Sequence, residues 1–323
     1  MDVYRSTVEY LSALSIFDSW SEMGVILRRA ASGRPRDWQL PIIACRSLGI
    51  SPQKAIPASA ALACAQISII LVDDMLDEDP RGEYRHIGHG RAANLAVAFQ
   101  AVGVEALLES RARTEVRNET CKCLNRMMST TAFGQQLDIQ NPSDETAYWL
   151  VVENKSAPFY GCALHLGALF GEAPKDAAKG LEQFGRLYGE MVQIHDDLND
   201  TLAVPASPDW LQRRNPLPIL FARSVAHPDR AKFFELCANI TTGNALQEAQ
   251  EILIRCGAVS YCVDQLLRRH QSARGILKEI PLANKAAADS LIEAVIAPVQ
   301  RLFASLGIAT PSLPIFAERA NPG

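Results

Sequence analysis

Apolar residues recur at three- to four-residue spacing along most of the chain, and no alternating apolar–polar stretch is sustained. That period predicts helices over about Thr7–Ala30, Leu40–Leu48, Pro57–Asp77, Ala92–Leu108, Glu115–Gln140 and Asp144–Leu169. Further helices are expected over Ala177–Asp200, Pro218–Ala226, Arg230–Cys237, Ala245–Cys256, Val259–Ile280 and Ala283–Leu306. Pro57 suits a first helical position, where its missing N–H would have had no partner, and Ser143 can cap the helix that opens with Asp144 and Glu145. Breaks fall at Gly33-Arg34-Pro35, Asp79-Pro80-Arg81-Gly82, Asn141-Pro142, Pro205-Ala206-Ser207-Pro208 and His227-Pro228. None is long enough for an interdomain linker. One all-α domain, a helical bundle over residues 1–323, is therefore expected.

Composition adds limits. The 323 residues are 48% hydrophobic and 21% charged, an ordinary globular balance that can bury a sizeable core. A net charge of −4 gives no electrostatic reason to expect nucleic acid or an anionic membrane as partner. No uninterrupted apolar run reaches the ~20 residues of a membrane span, so none is expected. Met1-Asp2-Val3-Tyr4-Arg5 lacks the basic start and apolar core of a signal peptide, and a cytoplasmic protein is expected. The 8 cysteines include one C-x-C pair, Cys121 and Cys123, without the further ligands of a zinc site; reduced, mostly buried thiols are expected.

The chemistry gathers in two acidic runs of one spacing, D-D-x-x-D. They are Asp73-Asp74-Met75-Leu76-Asp77 and Asp196-Asp197-Leu198-Asn199-Asp200, each following an apolar stretch. On a helix, positions i and i+4 lie about 40° apart, so Asp73 stacks over Asp77 and Asp196 over Asp200. Like charges stacked this way weaken a helix unless a cation sits between them. All-oxygen ligands suit a hard ion, and Mg²⁺ completes its shell with water and substrate phosphates. Two such clusters suggest a diphosphate clamped between two helices; the duller reading is two solvated acidic helix ends.

Between and beside these runs lie Gly134-Gln135-Gln136-Leu137-Asp138, Lys155-Ser156-Ala157, Gln193-Ile194-His195 and Asn215-Pro216-Leu217-Pro218. In that order the chain resembles the trans-type isoprenyl diphosphate synthases, the polyprenyl synthetase family of the class I isoprenoid-synthase fold. The resemblance runs from about Gly33 to Ala222. It implies a helical bundle around an apolar cavity, a homodimer, and three Mg²⁺ ions held by Asp73, Asp77 and Asp196 with Asp74, Asp197 and Asp200 in support. It also implies that Lys155 holds the pyrophosphate of an allylic diphosphate while Gln193 and Ser156 stabilise the allylic cation, which is then passed to isopentenyl diphosphate. Read alone, Lys155 is more readily a solvated helix lysine, and Gln193 is equally a satisfied core amide. Gln135 and Asp138 read as orienting groups.

Departures from the family pattern concentrate on the acceptor. Arg34 and Arg36 stand where the family has its G-K-x-x-R cations, but ungapped alignment puts Asp37 at the arginine position. Gln66 replaces the usual histidine seven residues before Asp73, and Arg81 and Arg85 lie in a lengthened loop in place of R-R-G. The loop after the second motif holds Arg213-Arg214 instead of a lysine. Two enzymatic readings follow: elongation of an allylic diphosphate on isopentenyl diphosphate, or transfer of the cation to an internal double bond or a peptide. A non-catalytic partner subunit is a third reading, but it would not need both acidic runs. Ser68 and Ile69, below Asp73, leave the cavity floor without an aromatic stop, which predicts a product of C20 or longer.

Overall fold

The computed structural model describes residues 1–293 and Ala297. Its helices begin with α1 (Val3–Ser12), α2 (Ser15–Ser19), α3 (Ser21–Ser32), α4 (Leu40–Ser47) and α5 (Ile56–Leu76). They continue with α6 (Tyr84–Ile87), α7 (His89–Leu108), α8 (Thr114–Ile139), α9 (Glu145–Lys155), α10 (Ala157–Phe170) and α11 (Lys175–Leu202). The last are α12 (Pro208–Leu211), α13 (Leu217–Ser224), α14 (Arg230–Ala238), α15 (Ala245–Arg255) and α16 (Ala258–Glu279). A further helical stretch covers 285–293; the rest of the helix expected to Leu306, apart from Ala297, lies outside the described residues. No strand occurs among the described residues.

α5 is the axis of the bundle. It is apolar on every side, and Ala58, Ala60, Ala61, Ala63 and Ala65 are buried on all its faces. These short side chains let α7, α1, α8, α10 and α4 approach it closely. A second spine forms where α10 lies along α11 and α11 along α16. The main core joins them through Leu62, Met127, Phe159, Phe184, Met191 and Leu266.

Two stretches, Pro52–Leu76 and His89–Leu108, do reach the length and apolar content of a membrane span, contrary to the sequence expectation. Gln66 and scattered serines break the strictly apolar run, while many alanines keep its mean hydropathy high. Both stretches pack against other helices of the chain, the first at its centre.

Two expected helices are divided. The first breaks at Leu14 and Trp20, giving α1, α2 and α3. The stretch expected as Asp144–Leu169 breaks at Ser156, because Pro158 in the first turn of α10 has no N–H to continue the ladder. Asp144, rather than Ser143, caps α9, its carboxylate accepting from the Ala147 N–H at 2.9 Å. The break at Ser156 has a consequence for the site: it leaves Lys155 and Ser156 at a helix end.

Candidate active site

Asp73 and Asp77 end α5, and Asp196, Asp197 and Asp200 lie in the last turns of α11. The two clusters meet at one cavity of about 180 Å³, whose walls include Asp77, Asp138, Lys155, Gln193, Asp200 and Arg214. Its lining is mainly polar, unlike the apolar cavity that the resemblance implied.

Lys155 is the centre of the first cluster. Its Nζ donates to Asp138 Oδ2 at 2.5 Å and lies 3.2 Å from Asp73 Oδ1. Burial alone would lower the ammonium, but Asp73, Asp138 and Asp77 together hold it well above its ordinary range. Gly134 makes this position possible: a Cβ there would collide with the backbone of Asn154 and Lys155 where α8 crosses the end of α9. The glycine and the aspartate of the G-Q-x-x-D run thus serve one purpose, seating Lys155. Gln135, next to Gly134, is buried, and its Nε2 has no partner.

Arg214 is the second cation. Its Nη2 donates to Asp77 Oδ1 at 2.5 Å and its Nη1 lies 3.5 Å from Asp138 Oδ2. Asp209, on α12, adds another carboxyl to the cavity wall; burial, and then the charge of Asp200, push it up to about 6 despite Arg214. Sequence reading noted Arg214 without assigning it and missed Asp209. Neither had a recoverable signal, since Arg214 reaches Asp77 across 137 residues of chain.

Asp197 differs from its neighbours. It is buried; Oδ1 accepts from Gln193 Nε2, and Oδ2 from the Tyr148 hydroxyl and the Leu217 N–H, all at 2.8 Å. Burial pushes its carboxyl up to about 7, against the three hydrogen bonds that favour the anion. These three hydrogen bonds tie α9, α11 and α13 together and turn the carboxylate inward, away from direct metal ligation. Gln193 also accepts from the Ser156 hydroxyl at 2.5 Å, so the two residues expected to face the cation are already joined.

Asp196 projects outward, its side chain 59% exposed with His195 Nδ1 3.7 Å away. Asp74 is partly buried; burial, then the charges of Asp79 and Asp73, push it up to about 6. Among the described residues no three Asp, Glu, His or Cys side chains converge closely enough to hold a cation alone. The donor set nevertheless suits Mg²⁺, which takes one or two carboxylates and fills its shell with water and phosphate oxygens. Asp73 Oδ1 is buried with no full hydrogen bond, held only by the Lys155 ammonium 3.2 Å away, a contact that a bound cation could replace.

The remaining expected contacts scatter. Arg34 lies over the Tyr4 ring, 4.6 Å from its centroid, and 3.7 Å from Asp2, so it is turned toward α1. Arg81 pairs with Asp79 at 2.7 Å, although its charge reaches Asp74 and Asp200. Arg85 packs over Tyr84 and donates to the Glu78 carbonyl at 3.4 Å. Arg36 is exposed at the start of the turn Arg36–Gln39. Gln66 is not free for a substrate: its Oε1 accepts from Trp38 Nε1 and its Nε2 donates to Asp37, both at 2.7 Å.

The family model for polyprenyl synthetase matches residues 39–254, two-thirds of the chain and both acidic runs. The chain belongs to the polyprenyl synthetase family. Its relatives in this family are prenyltransferases. A geranylgeranyl diphosphate synthase of Methanosarcina mazei is 28% identical over 171 residues, 50% of this chain and 53% of that one. The octaprenyl diphosphate synthase of Escherichia coli is 23% identical over 260 residues, covering 75% of this chain and 78% of that one. Among solved structures, a geranylgeranyl pyrophosphate synthetase of Pyrococcus horikoshii superposes with a TM-score of 0.78 at 18% identity, over 93% of this chain and 95% of that one. A decaprenyl diphosphate synthase of Rhodobacter capsulatus gives the same TM-score of 0.78 at 18% identity and the same coverage. The all-α isoprenoid-synthase fold expected from the motifs is therefore the fold observed.

The raised carboxyls make a pH prediction for the metal-free protein. Asp74 and Asp209 at about 6 and Asp197 at about 7 bind protons more tightly folded than unfolded. Stability should therefore fall as pH rises from about 4 to 7.5. In EDTA the melting temperature is expected to drop by several degrees across that range, and Mg²⁺ with pyrophosphate to restore it at pH 7.5. A melting temperature that rises with pH in EDTA would refute this.

Proposed function

We propose that this chain is a Mg²⁺-dependent trans-prenyltransferase, a cytoplasmic homodimer, that ionises an allylic diphosphate and joins the cation to a carbon–carbon double bond. The observation that carries this reading is the meeting of Asp77 and Asp200, one from each acidic run, in the cavity that Lys155 also lines. Asp73, Asp77, Asp196 and Asp200, with Asp74 beside them, are the residues that would hold the metal; three ions is the number the resemblance implies. Bound Mg²⁺ supplies Lewis-acid charge opposite the departing pyrophosphate. Lys155 and Arg214 hold the first cluster together and offer donors to phosphate oxygens once those oxygens compete with the carboxylates. The Gln193 carbonyl and Ser156 hydroxyl set oxygen dipoles beside the nascent allylic cation. The outer face of α7 supports the dimer, since Val97 and Leu108 leave apolar surface uncovered there.

Family membership supports chain elongation, in which the double bond is that of isopentenyl diphosphate and the product an all-trans diphosphate. The small side chain of Ser68, buried on α5, supports a product of C20 or longer. Ser68→Phe is expected to shorten the longest chain by one or two isoprene units; an unchanged product by mass spectrometry would remove Ser68 from the argument. The ionisation itself is tested by pyrophosphate release from geranyl, farnesyl or geranylgeranyl diphosphate with Mg²⁺. No release from any donor, with or without isopentenyl diphosphate, would refute the proposed function.

A further inference from the structure

Two thiols face each other where α8 crosses α10. Cys123 Sγ, on α8, lies 3.3 Å from Cys162 Sγ, on α10. No other pair of cysteines among the described residues shares a hydrogen bond; the Cys45 and Cys256 thiols, for example, donate to backbone carbonyls. Cys121, two residues before Cys123, points to another side of α8. Cys162 is buried and Cys123 half-buried, and both open on one small surface cavity of about 100 Å³. His165, on the same wall, turns to the Ala178 carbonyl, 3.1 Å away, and the pair lacks the further ligands of a zinc site.

The packing holds the two sulfurs in place. On the far side of α10, a Cβ at Gly185 would collide with the Tyr160 backbone, and one at Gly161 would press on the Glu182 carbonyl and the Arg186 stem. α10 is thus seated tightly on α11. On the near side, Leu124 and Met127 of α8 share the main core with Phe159 and Ala163 of α10. Closing a disulfide asks the sulfurs to approach by only about 1.2 Å. The cavity rim carries Lys122, Arg126 and Arg186 against Glu119 and Glu182, a positive balance that favours a thiolate. The hydrogen bond with Cys123, and then burial, push the Cys162 thiol well up, so Cys162 keeps its proton. Cys123, the more exposed sulfur, is the one a small oxidant meets first.

We propose that Cys123 and Cys162 form a site of reversible oxidation by hydrogen peroxide, closing to a disulfide that latches α8 to α10. The latch goes beyond the prenyl-transfer reading and does not depend on it. The Cys123 thiolate attacks one peroxide oxygen; an S–O bond forms, the O–O bond breaks, and hydroxide leaves as water with a solvent proton. Cys123 is then a sulfenic acid. The Cys162 sulfur attacks the Cys123 sulfur; an S–S bond forms, the S–O bond breaks, and hydroxide leaves as water with the Cys162 proton. Two thiols and one peroxide give one disulfide and two waters. A dithiol reverses the step by thiol–disulfide exchange. The link joins residues 39 positions apart and encloses Gly134, Asp138 and Lys155, which build the first cluster of the active site. Closing that loop restricts the unfolded chain, so the oxidised protein is the more stable form.

The test treats the reduced full-length protein with hydrogen peroxide in EDTA and counts free thiols after denaturation. The 8 thiols of the reduced chain are expected to fall by two. Peptide mapping by mass spectrometry without reductant should show Cys123 joined to Cys162. The melting temperature should rise by roughly 5 °C, and dithiothreitol should return it to its starting value. Cys123→Ser should lose both the link and the rise. In Cys162→Ser, peroxide should carry Cys123 on to sulfinic acid, since no second thiol traps the sulfenic acid. Linkage between other cysteines or between two chains, or sulfinic acid at Cys123 of the unsubstituted protein without linkage, overturns the proposal. So does a Cys123–Cys162 link that leaves the melting temperature unchanged. Should a serine variant fail to fold, the thiol count and peptide map of the unsubstituted protein decide alone.

Discussion

Replacing Lys155 with methionine is expected to lower turnover by about 10²–10³-fold, the loss seen when one preorganised donor to developing negative charge is removed. Methionine keeps most of the length and apolar stem, so packing against α8 is retained while the charge is lost. Three carboxylates, Asp73, Asp77 and Asp138, then face each other with Arg214 as the nearest remaining cation. Two further effects follow from that residual charge. The Mg²⁺ concentration for half-maximal activity should fall, because more negative charge awaits the metal. Substrate affinity should weaken, because a donor to the diphosphate has gone. Lys155→Arg should restore part of the rate, since the guanidinium keeps the charge but carries a planar fork into a site fitted to a point charge. Steady-state kinetics as a function of Mg²⁺ distinguish these effects. Turnover within tenfold of wild type in Lys155→Met would place Lys155 outside the reaction.

Asp197→Ala is the substitution expected to cost the most stability. It leaves the Tyr148 hydroxyl, the Gln193 amide and the Leu217 N–H without their acceptor in a buried setting. Each stranded donor costs roughly 1–3 kcal/mol, so losing the acceptor of three buried donors costs about 3–5 kcal/mol in all. For a chain of this size that is a fall in melting temperature of roughly 4–7 °C. Asp196→Ala, one residue earlier but solvent-facing, should change stability little while removing an expected metal ligand. The pair therefore separates two roles within adjacent aspartates. Chemical denaturation of both variants gives the comparison, and a loss below 1 kcal/mol in Asp197→Ala would contradict the network described here.

That contrast also shows how far the chain can be read without its fold. The D-D-x-x-D spacing marks both clusters, and helical periodicity places each near a helix end. It does not separate Asp196 from Asp197. On α11 the two lie about 100° apart, and only the neighbours brought in by α9 and α13 decide which is buried. Lys155 was legible through the ordered motifs; its ion pairs were not, because Asp138 and Asp73 approach it from α8 and α5. The orientation of Arg34 was hidden for a related reason. A phosphate-binding position in sequence became a partner for Tyr4 and Asp2 once α1 folded against it. The division of the expected Asp144–Leu169 helix at Ser156 was foreseeable from Pro158; the divisions at Leu14 and Trp20 carried no such local mark.

The amino-acid sequence by itself determined the all-α class, the helix positions and the existence of two paired carboxylate clusters, because each depends on spacing within a few helical turns. The tertiary structure alone decided that Asp197 is a structural hub, that Arg214 and Asp209 join the site, and that Gln66 locks Asp37 instead of meeting substrate. Those outcomes rest largely on contacts between residues 20 to 137 positions apart, such as Leu217 with Asp197 and Arg214 with Asp77, and the folded chain alone sets which distant groups share a hydrogen bond.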